Sequence, residues 1–322
     1  MQRRHLIAAA AATTLAATFG TSPAAAQSAW PEGRNITMIV PFPPGGVADT
    51  VARPVAEALA RELKATIVVE NRAGAGGGLG IAAASRAAPD GYTLLMSLSS
   101  ISILPEADQL FGRKPAFTLS QFRPIARFTA DPTVLVVRAE APWKTLAEFV
   151  ADSKKKPGGY NYGTMHVPME MLKANAGFPA NHVPFTGAGP AVLALLGGQI
   201  DAVASGPSTV AQHIKAGKLR ALGHWGDKPL QSLPEVPSLT QLGQPVKFAQ
   251  WAGLFVPAGT PEDIIQKLRA ASRKAAADPA VVATIGKAGS PIEYLDAPEF
   301  QAYWDADARS MAEAVKRIGK VE

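Results

Sequence analysis

No cysteine occurs in the 322 residues. That excludes disulfides, thiol nucleophiles and thiolate metal sites, and leaves the redox compartment open. Metal-ligand spacing is missing too. Of the five histidines, His5 falls in a leader segment, and His166, His182, His213 and His224 form no H-E-x-x-H pattern. There is no G-x-S-x-G nucleophile elbow and no Walker phosphate loop. The dinucleotide fingerprint fails in both registers, because Leu79 and Ile81 stand where its last glycine would be. Asp49 and Asp201 are the only pair that suggests acid/base work. Each sits at a βα turn or strand, where a carboxylate ordinarily accepts backbone N–H bonds. Charge of one sign is scarce: the net charge is +6, which is weak evidence for a nucleic-acid partner. Past the leader no apolar run is long enough for a membrane span.

The composition, 47% hydrophobic and 18% charged, is that of a globular chain long enough for two domains. Residues 1–26 read as an export signal. Arg3 and Arg4 form the basic start, Leu6 to Phe19 the apolar stretch, and Ala24-Ala25-Ala26 the cleavage site. The arginine pair permits the general secretory route or twin-arginine export. Without the leader the charge falls by the two arginines, 6 − 2 = +4, which suits an anionic small ligand.

The mature chain alternates strand and helix. Ile36 to Val40 reads as a buried strand, and Pro41-Phe42-Pro43-Pro44-Gly45-Gly46 as a turn. A helix with Val47, Val51, Val55, Leu59 and Leu63 on one face follows. Such a turn aims free N–H groups of the helix start at whatever lies above the strand end. Gly45 and Gly46 allow close approach of a ligand, and Phe42 supplies an apolar wall. The site suits a small carboxylate; the alternative is an ordinary turn that meets only water. The strand Thr93 to Met96 ends at Ser97-Leu98-Ser99-Ser100, whose hydroxyls suit ligand contacts. A second loop of the same kind, Thr186-Gly187-Ala188-Gly189-Pro190, precedes a helix from Ala191. Other expected elements include a helix from Met169 to Ala176, a strand from Gln199 to Ser205, and a helix start with Thr260 as cap and Pro261 in the first position. His182 reads as a hydrogen-bonded structural imidazole. Lys154-Lys155-Lys156 reads as a solvated helix end.

Several motifs in series carry a family resemblance. They are the Pro41–Gly46 turn with Asp49, Glu70-Asn71-Arg72 with its glycine loop, Pro89-Asp90-Gly91-Tyr92 and His182-Val183-Pro184-Phe185. Leu195 to Asp201, Ala216 to Leu222 and Pro257-Ala258-Gly259-Thr260-Pro261 complete the set. Together they resemble the Bug-type solute-binding proteins of tripartite tricarboxylate transporters, across essentially the whole mature chain. The resemblance implies an α/β, bilobed periplasmic-binding-protein fold, with two α/β domains around a ligand cleft. The domains expected are 27–131 with 249–322, and 132–248. It implies no enzyme activity, no cofactor and no nucleotide. Its ligand is a di-, tricarboxylic or aromatic acid, and its partners are a large and a small integral-membrane permease subunit. A sensor kinase as partner and an exported hydrolase are the alternatives.

Carried over, the first set of ligand contacts is Phe42, Pro43, Gly45, Gly46 and Asp49, with Ser97 and Ser99. The second is Gly163, Thr164, Phe185, Thr186, Gly187 and Gly189, with Ser205 and Gly206. The chain departs from the family in three places. The loop after Tyr162 is short, running through Gly163-Thr164-Met165 straight to His166 and Glu170. Phe185 and Thr186 replace a tyrosine and a lysine. Pro54 lies inside the first helix, where it removes a hydrogen bond. Fewer polar contacts in the second lobe favour a bulkier or less charged acid, such as an aromatic one. The protein is expected to be a monomer, with hinges near 130–133 and 248–251.

Overall fold

The computed structural model describes residues 30–319; the export signal expected at 1–26 lies outside them. The first sheet takes its early strands from alternating units: β1 (Ile36–Val40), α1 (Val47–Leu63), β2 (Ile67–Asn71), α2 (Gly78–Ser85), β3 (Thr93–Leu98), α3 (Ser100–Leu110) and β4 (Phe122–Pro132). The chain then builds the second sheet from β5 (Val134–Arg138), α4 (Leu146–Ser153), β6 (Tyr160–Gly163), α5 (His166–Ala176), β7 (Ala180–Val183), α6 (Ala188–Leu196), β8 (Ala202–Ser205), α7 (Pro207–Lys215) and β9 (Leu219–His224). It returns through β10 (Ala249–Pro257), α8 (Glu262–Ala277), α9 (Pro279–Lys287), β11 (Leu295–Asp296) and α10 (Ala297–Ile318).

The first sheet has the order β11-β4-β10-β3-β1-β2, and the second β7-β6-β8-β5-β9. β1 runs parallel to β2 and β3, while β10 runs antiparallel to β3 and β4. In the second sheet β6 runs parallel to β7 and β8, and β5 is antiparallel to β8 and β9. The parallel parts bring the carboxyl ends of β1, β3, β6 and β7 to loops where an open α/β sheet binds its ligands. These are the two α/β lobes that the resemblance implies. Only Thr133, itself buried, separates β4 of the first sheet from β5, where the second sheet begins.

Local chemistry explains most elements. β1 and β3 are almost wholly buried, as apolar strands covered on both faces by helices must be. The α1 stripe Val47, Val51, Val55 and Leu59 is buried. That helix ends where Lys64 turns left-handed (φ 51°) and donates its N–H to the Ala60 and Arg61 carbonyls. Pro54 stays inside the helix without breaking it. It has no N–H to donate to the preceding turn.

Several boundaries differ from the sequence expectation. Ser100, expected at the strand-end loop, opens a helix, α3. Ile101 and Ser102 face inward, and the Ser102 hydroxyl donates to Asp307 of α10 at 2.7 Å. The helix at Met169 starts three residues early, at His166, and α6 starts at Ala188 rather than Ala191. β8 is confined to Ala202–Ser205. Upstream of it, the Gln199 N–H closes the α6 end on Ala194, and Asp201 accepts from the Asn161 N–H at 2.8 Å. Thr260 does not cap α8: its hydroxyl turns back to the Pro257 carbonyl, and Pro261 holds the cap position.

α10 belongs to both halves. Phe300 and Trp304 pack with Trp251 and Phe255 on the first sheet, while Met311, Ala314 and Val315 enter the core formed by Leu135, Trp225 and Phe248 beside the second. Its 22 residues reach about 33 Å, enough to span the two.

Candidate functional site

A cavity of about 250 Å³ lies where the two sets of strand-end loops face each other. Eight of the residues expected from sequence line it. Phe42, Gly46 and Ser99 do so from the first lobe, and Thr164, Phe185, Thr186, Gly187 and Ser205 from the second. Seven do not: Pro43, Gly45, Asp49, Ser97, Gly163, Gly189 and Gly206.

Every exclusion but that of Gly189, which faces open space, has a structural reason. Asp49 is buried in the turn it shapes. Its carboxylate accepts from the Gly45 N–H at 2.9 Å, from two Arg53 nitrogens at 2.9 Å each, and from Asn71 Nδ2 at 2.9 Å. Asn71 also donates to the Phe42 carbonyl at 2.9 Å. Burial raises the Asp49 pKa, but the Arg53, Gly45 and Asn71 hydrogen bonds outweigh it and hold the group below its ordinary value. Asp49 is therefore an ionised brace that fixes the turn, and it consumes the Gly45 N–H. Ser97 lies within β3, opposite Gly253, and its hydroxyl is spent on the Leu98 carbonyl at 3.3 Å. Gly163 is a packing glycine, since a Cβ there would meet Ile200 at 2.9 Å and Ala191 and Phe185 at 3.1 Å.

Pro43 and Gly206 mark contacts between the lobes. A Cβ on Gly187 would fall 2.7 Å from Pro43 Cδ. One on Gly206 would fall 3.0 Å from Gln250 Oε1 and 3.1 Å from Val47 Cγ2. Gln250 of β10 reaches Met165 of the other lobe, Nε2 to Sδ at 3.7 Å.

The short loop after β6 works through two non-glycine residues in the left-handed region, Thr164 (φ 58°) and Met165 (φ 45°). This conformation costs about 1–2 kcal/mol per residue. The Thr164 hydroxyl donates to the Ala204 carbonyl, which offsets part of that cost, and α5 starts immediately afterwards. His166, Val167 and Pro168 thus become cavity wall.

The helix starts at Gly46, Met165 and Gly187 carry no side-chain cap, so their first N–H groups remain open to an anion. Hydroxyls divide unevenly. Ser99 and Ser100 line the cavity from the first lobe, and the Ser100 hydroxyl is buried without a partner. In the second lobe the Thr164 proton goes to Ala204. Thr209 donates to the Gly206 carbonyl, so the Ser205 hydroxyl, 2.7 Å from that of Thr209, must donate to it. Among the described residues no Lys, Arg, Asp or Glu lines the cavity, and no cluster has a metal-binding arrangement.

Sequence reasoning missed the α3 wall (Ile103 and Leu104), the imidazoles of His166 and His182, and Phe248 with Gln250. His182 is not a hydrogen-bonded structural group. Its ring lies 4.6 Å from that of His166 and 5.3 Å from that of Tyr162. Burial, helped by His166, pushes the His182 pKa down to about 4, and burial lowers that of His166. Both rings are neutral at pH 7. Tyr162 Oη donates to Glu170 at 2.7 Å, and the same Glu170 oxygen takes Lys173 Nζ at 2.6 Å. Since the tyrosine proton is spent, His166 Nδ1, 3.1 Å away, must be the donor to Oη. That leaves Nε2 as an acceptor. The position of His182 near the end of β7 was the signal that would have found it.

The family model described as "Tripartite tricarboxylate transporter family receptor" matches residues 51–320. Protein BugT of Bordetella pertussis is 36% identical over 264 residues, 80% of this chain and 81% of that protein. A protein in the gbd 5′ region of Cupriavidus necator is 32% identical over 99% of this chain and 98% of its own. A solved structure of a periplasmic transporter superposes with a TM-score of 0.84 at 33% identity, covering 88% of this chain and 97% of that one. Protein MatC of Rhodopseudomonas palustris with bound malate gives 0.79 at 31% identity, covering 89% and 98%.

Proposed function

The chain belongs to the tripartite tricarboxylate transporter receptor family, and on that premise we propose that it captures a small carboxylate between its lobes in the periplasm. The ligand belongs to the di-, tricarboxylic or aromatic acids, and the loaded protein delivers it to the large and small integral-membrane permease subunits. One observation carries the reading: uncapped helix starts from both lobes open on a single cavity lined by hydroxyls and free of charged side chains. Helix-start N–H groups favour an anion, and Ser99 and Thr186 stand in the wall of the same cavity. The malate bound to MatC, a relative at 31% identity, supports the same ligand class.

In this reading 27–131 with 249–322 form one lobe and 132–248 the other. They close about the crossings near 130–133 and 248–251. The single residue between β4 and β5 supports a short hinge there. Native mass spectrometry of protein taken from its own host tests the capture step; an added mass of an organic acid, lost on denaturation, is the expected result. Uptake of that acid should disappear when the chain is deleted, return with the parent, and not return with Gly46→Trp plus Gly187→Trp. Undiminished uptake with the double variant would refute the reading.

A further inference from the structure

The cavity is chemically lopsided. At the first lobe, Ser99 brings a hydroxyl to the cavity beside the open start of α1. Facing them, the second lobe has spent the protons of Thr164 and Ser205 internally. It retains as donors the Thr186 hydroxyl and the starts of α5 and α6, the latter next to Pro43. The rest of the cavity wall is mostly apolar and uncharged, with the His166 and His182 imidazoles and the Gln250 amide as its polar side chains. Ile103, Met165, Val167 and Phe248 pack into one cluster around Tyr162, and His166 and His182 stand against the same ring.

We propose that this wall is a subsite for a planar aromatic ring, so that the ligand is an aromatic monocarboxylate with its acid group held between the starts of α1 and α6. The inference rests on the carboxylate-receptor reading above and narrows it. Three observations lead to it. Volume is the first: a cavity of about 150 Å³ lined by aliphatic side chains holds benzene, and about 250 Å³ adds room for a carboxylate. Charge is the second. A second carboxylate against this wall would meet no cation, since Lys173 is committed to Glu170 at 2.6 Å and Glu170 itself lies behind Tyr162 and His166. Burying an unpaired carboxylate costs several kcal/mol, and every 1.4 kcal/mol is about tenfold in affinity. Shape is the third. The His166 and His182 rings, tilted 49° to each other at 4.6 Å, bring flat faces and edges to the cavity wall. An aromatic ligand ring packs on such a surface better than an alkyl chain does.

Calorimetry on the full mature protein, freed of endogenous ligand by unfolding and refolding, tests this with benzoate, hexanoate, malate, adipate and benzamide. Benzoate is expected to bind at least ~10-fold more tightly than hexanoate, malate or adipate, and benzamide far more weakly than benzoate. Tighter binding of malate or adipate overturns the aromatic subsite and leaves the carboxylate receptor standing. Hexanoate equal to benzoate does the same. Benzamide equal to benzoate overturns the carboxylate reading itself, and no binding of any probe overturns both. Placing a cation in the wall with His182→Arg should shift preference toward adipate by at least ~10-fold. His166→Gln serves the same test if His182→Arg does not fold: it keeps a polar group but removes a ring face, and benzoate should lose affinity while hexanoate does not. A variant series in which benzoate and hexanoate change together overturns the proposal.

Discussion

Gly187→Ala is the sharpest probe of how the lobes meet. Gly187 has an extended backbone, φ 172°, which any residue adopts, so the substitution adds no backbone strain. What it adds is one carbon, 2.7 Å from Pro43 Cδ and 3.3 Å from Pro43 Cγ. Carbon atoms sit best about 3.5–4.0 Å apart, and a pyrrolidine ring cannot swing aside as a flexible side chain would. The loops must therefore separate by roughly 1 Å at this point. Forcing an extra methyl into a packed contact costs about 1–3 kcal/mol. Because the two atoms belong to different lobes, the cost falls on their approach and not on either core. Affinity for a bound acid should drop by about 5- to 150-fold, with the melting temperature of the unliganded protein unchanged. Gly189→Ala is the control, since a Cβ there has nothing within 4 Å. Calorimetry with benzoate or malate, whichever binds the parent, reads the affinity, and small-angle scattering reads the spacing of the lobes. Parent-like affinity in Gly187→Ala would refute the idea that the ligand is gripped with Pro43 and Gly187 in contact.

Other outcomes follow from buried groups. Burial, reinforced by Glu293 and opposed by Ser290, Thr129 and Arg127, pushes the Asp131 carboxyl up to about 7 from 3.8. A raised folded pKa means that its contribution is whole below pH 3.8 and is lost as pH rises through 7. Asp131→Asn should therefore match the parent at pH 4 and exceed it by up to about 4 kcal/mol at pH 8; urea titrations at the two pH values decide it, and a constant difference counts against it. Asp49 has the opposite sign: its folded pKa is lowered, so its stabilisation is present above pH 3.8 and fades as pH falls. Asp49→Ala, which removes the acceptor of the Gly45 N–H and leaves Arg53 only its bond to Asn71 Oδ1, should cost about 1–3 kcal/mol at pH 7 and loosen binding without removing a ligand contact. Pro54→Leu restores a helix donor and should raise stability by about 1–3 kcal/mol, seen as a higher melting temperature with unaltered affinity.

The βα punctuation of this chain was legible because its causes are local. Apolar runs such as Ile36–Val40 and the Val47 to Leu59 stripe mark a strand and a helix whatever surrounds them. Both candidate anion loops reach the cavity for that reason, through Gly46 and Gly187. Reading failed where a tertiary partner decides. No helix is read from sequence between Ser100 and Leu110, where α3 packs on α10 and ties Ser102 to Asp307. Asp49 looks like a ligand contact because it stands in the binding turn. Only its four hydrogen bonds, from Gly45, Arg53 and Asn71 of β2, show that it faces inward. Proton allocation at Thr164, Ser205 and His166 is invisible in sequence, since it depends on which neighbour has already spent its hydrogen.

Met311, Ala314 and Val315 complete a hydrophobic layer whose other members were laid down far earlier in the chain. Synthesis and export release those earlier strands first, with one flank uncovered until α10 arrives. A fragment cut at 132–248 would keep that flank bare and be prone to self-association. Any rotation of the two halves must also pivot about a rod anchored in each of them. The amplitude of opening is thus set by how far α10 can flex, and a glycine pair placed midway along it should widen the swing.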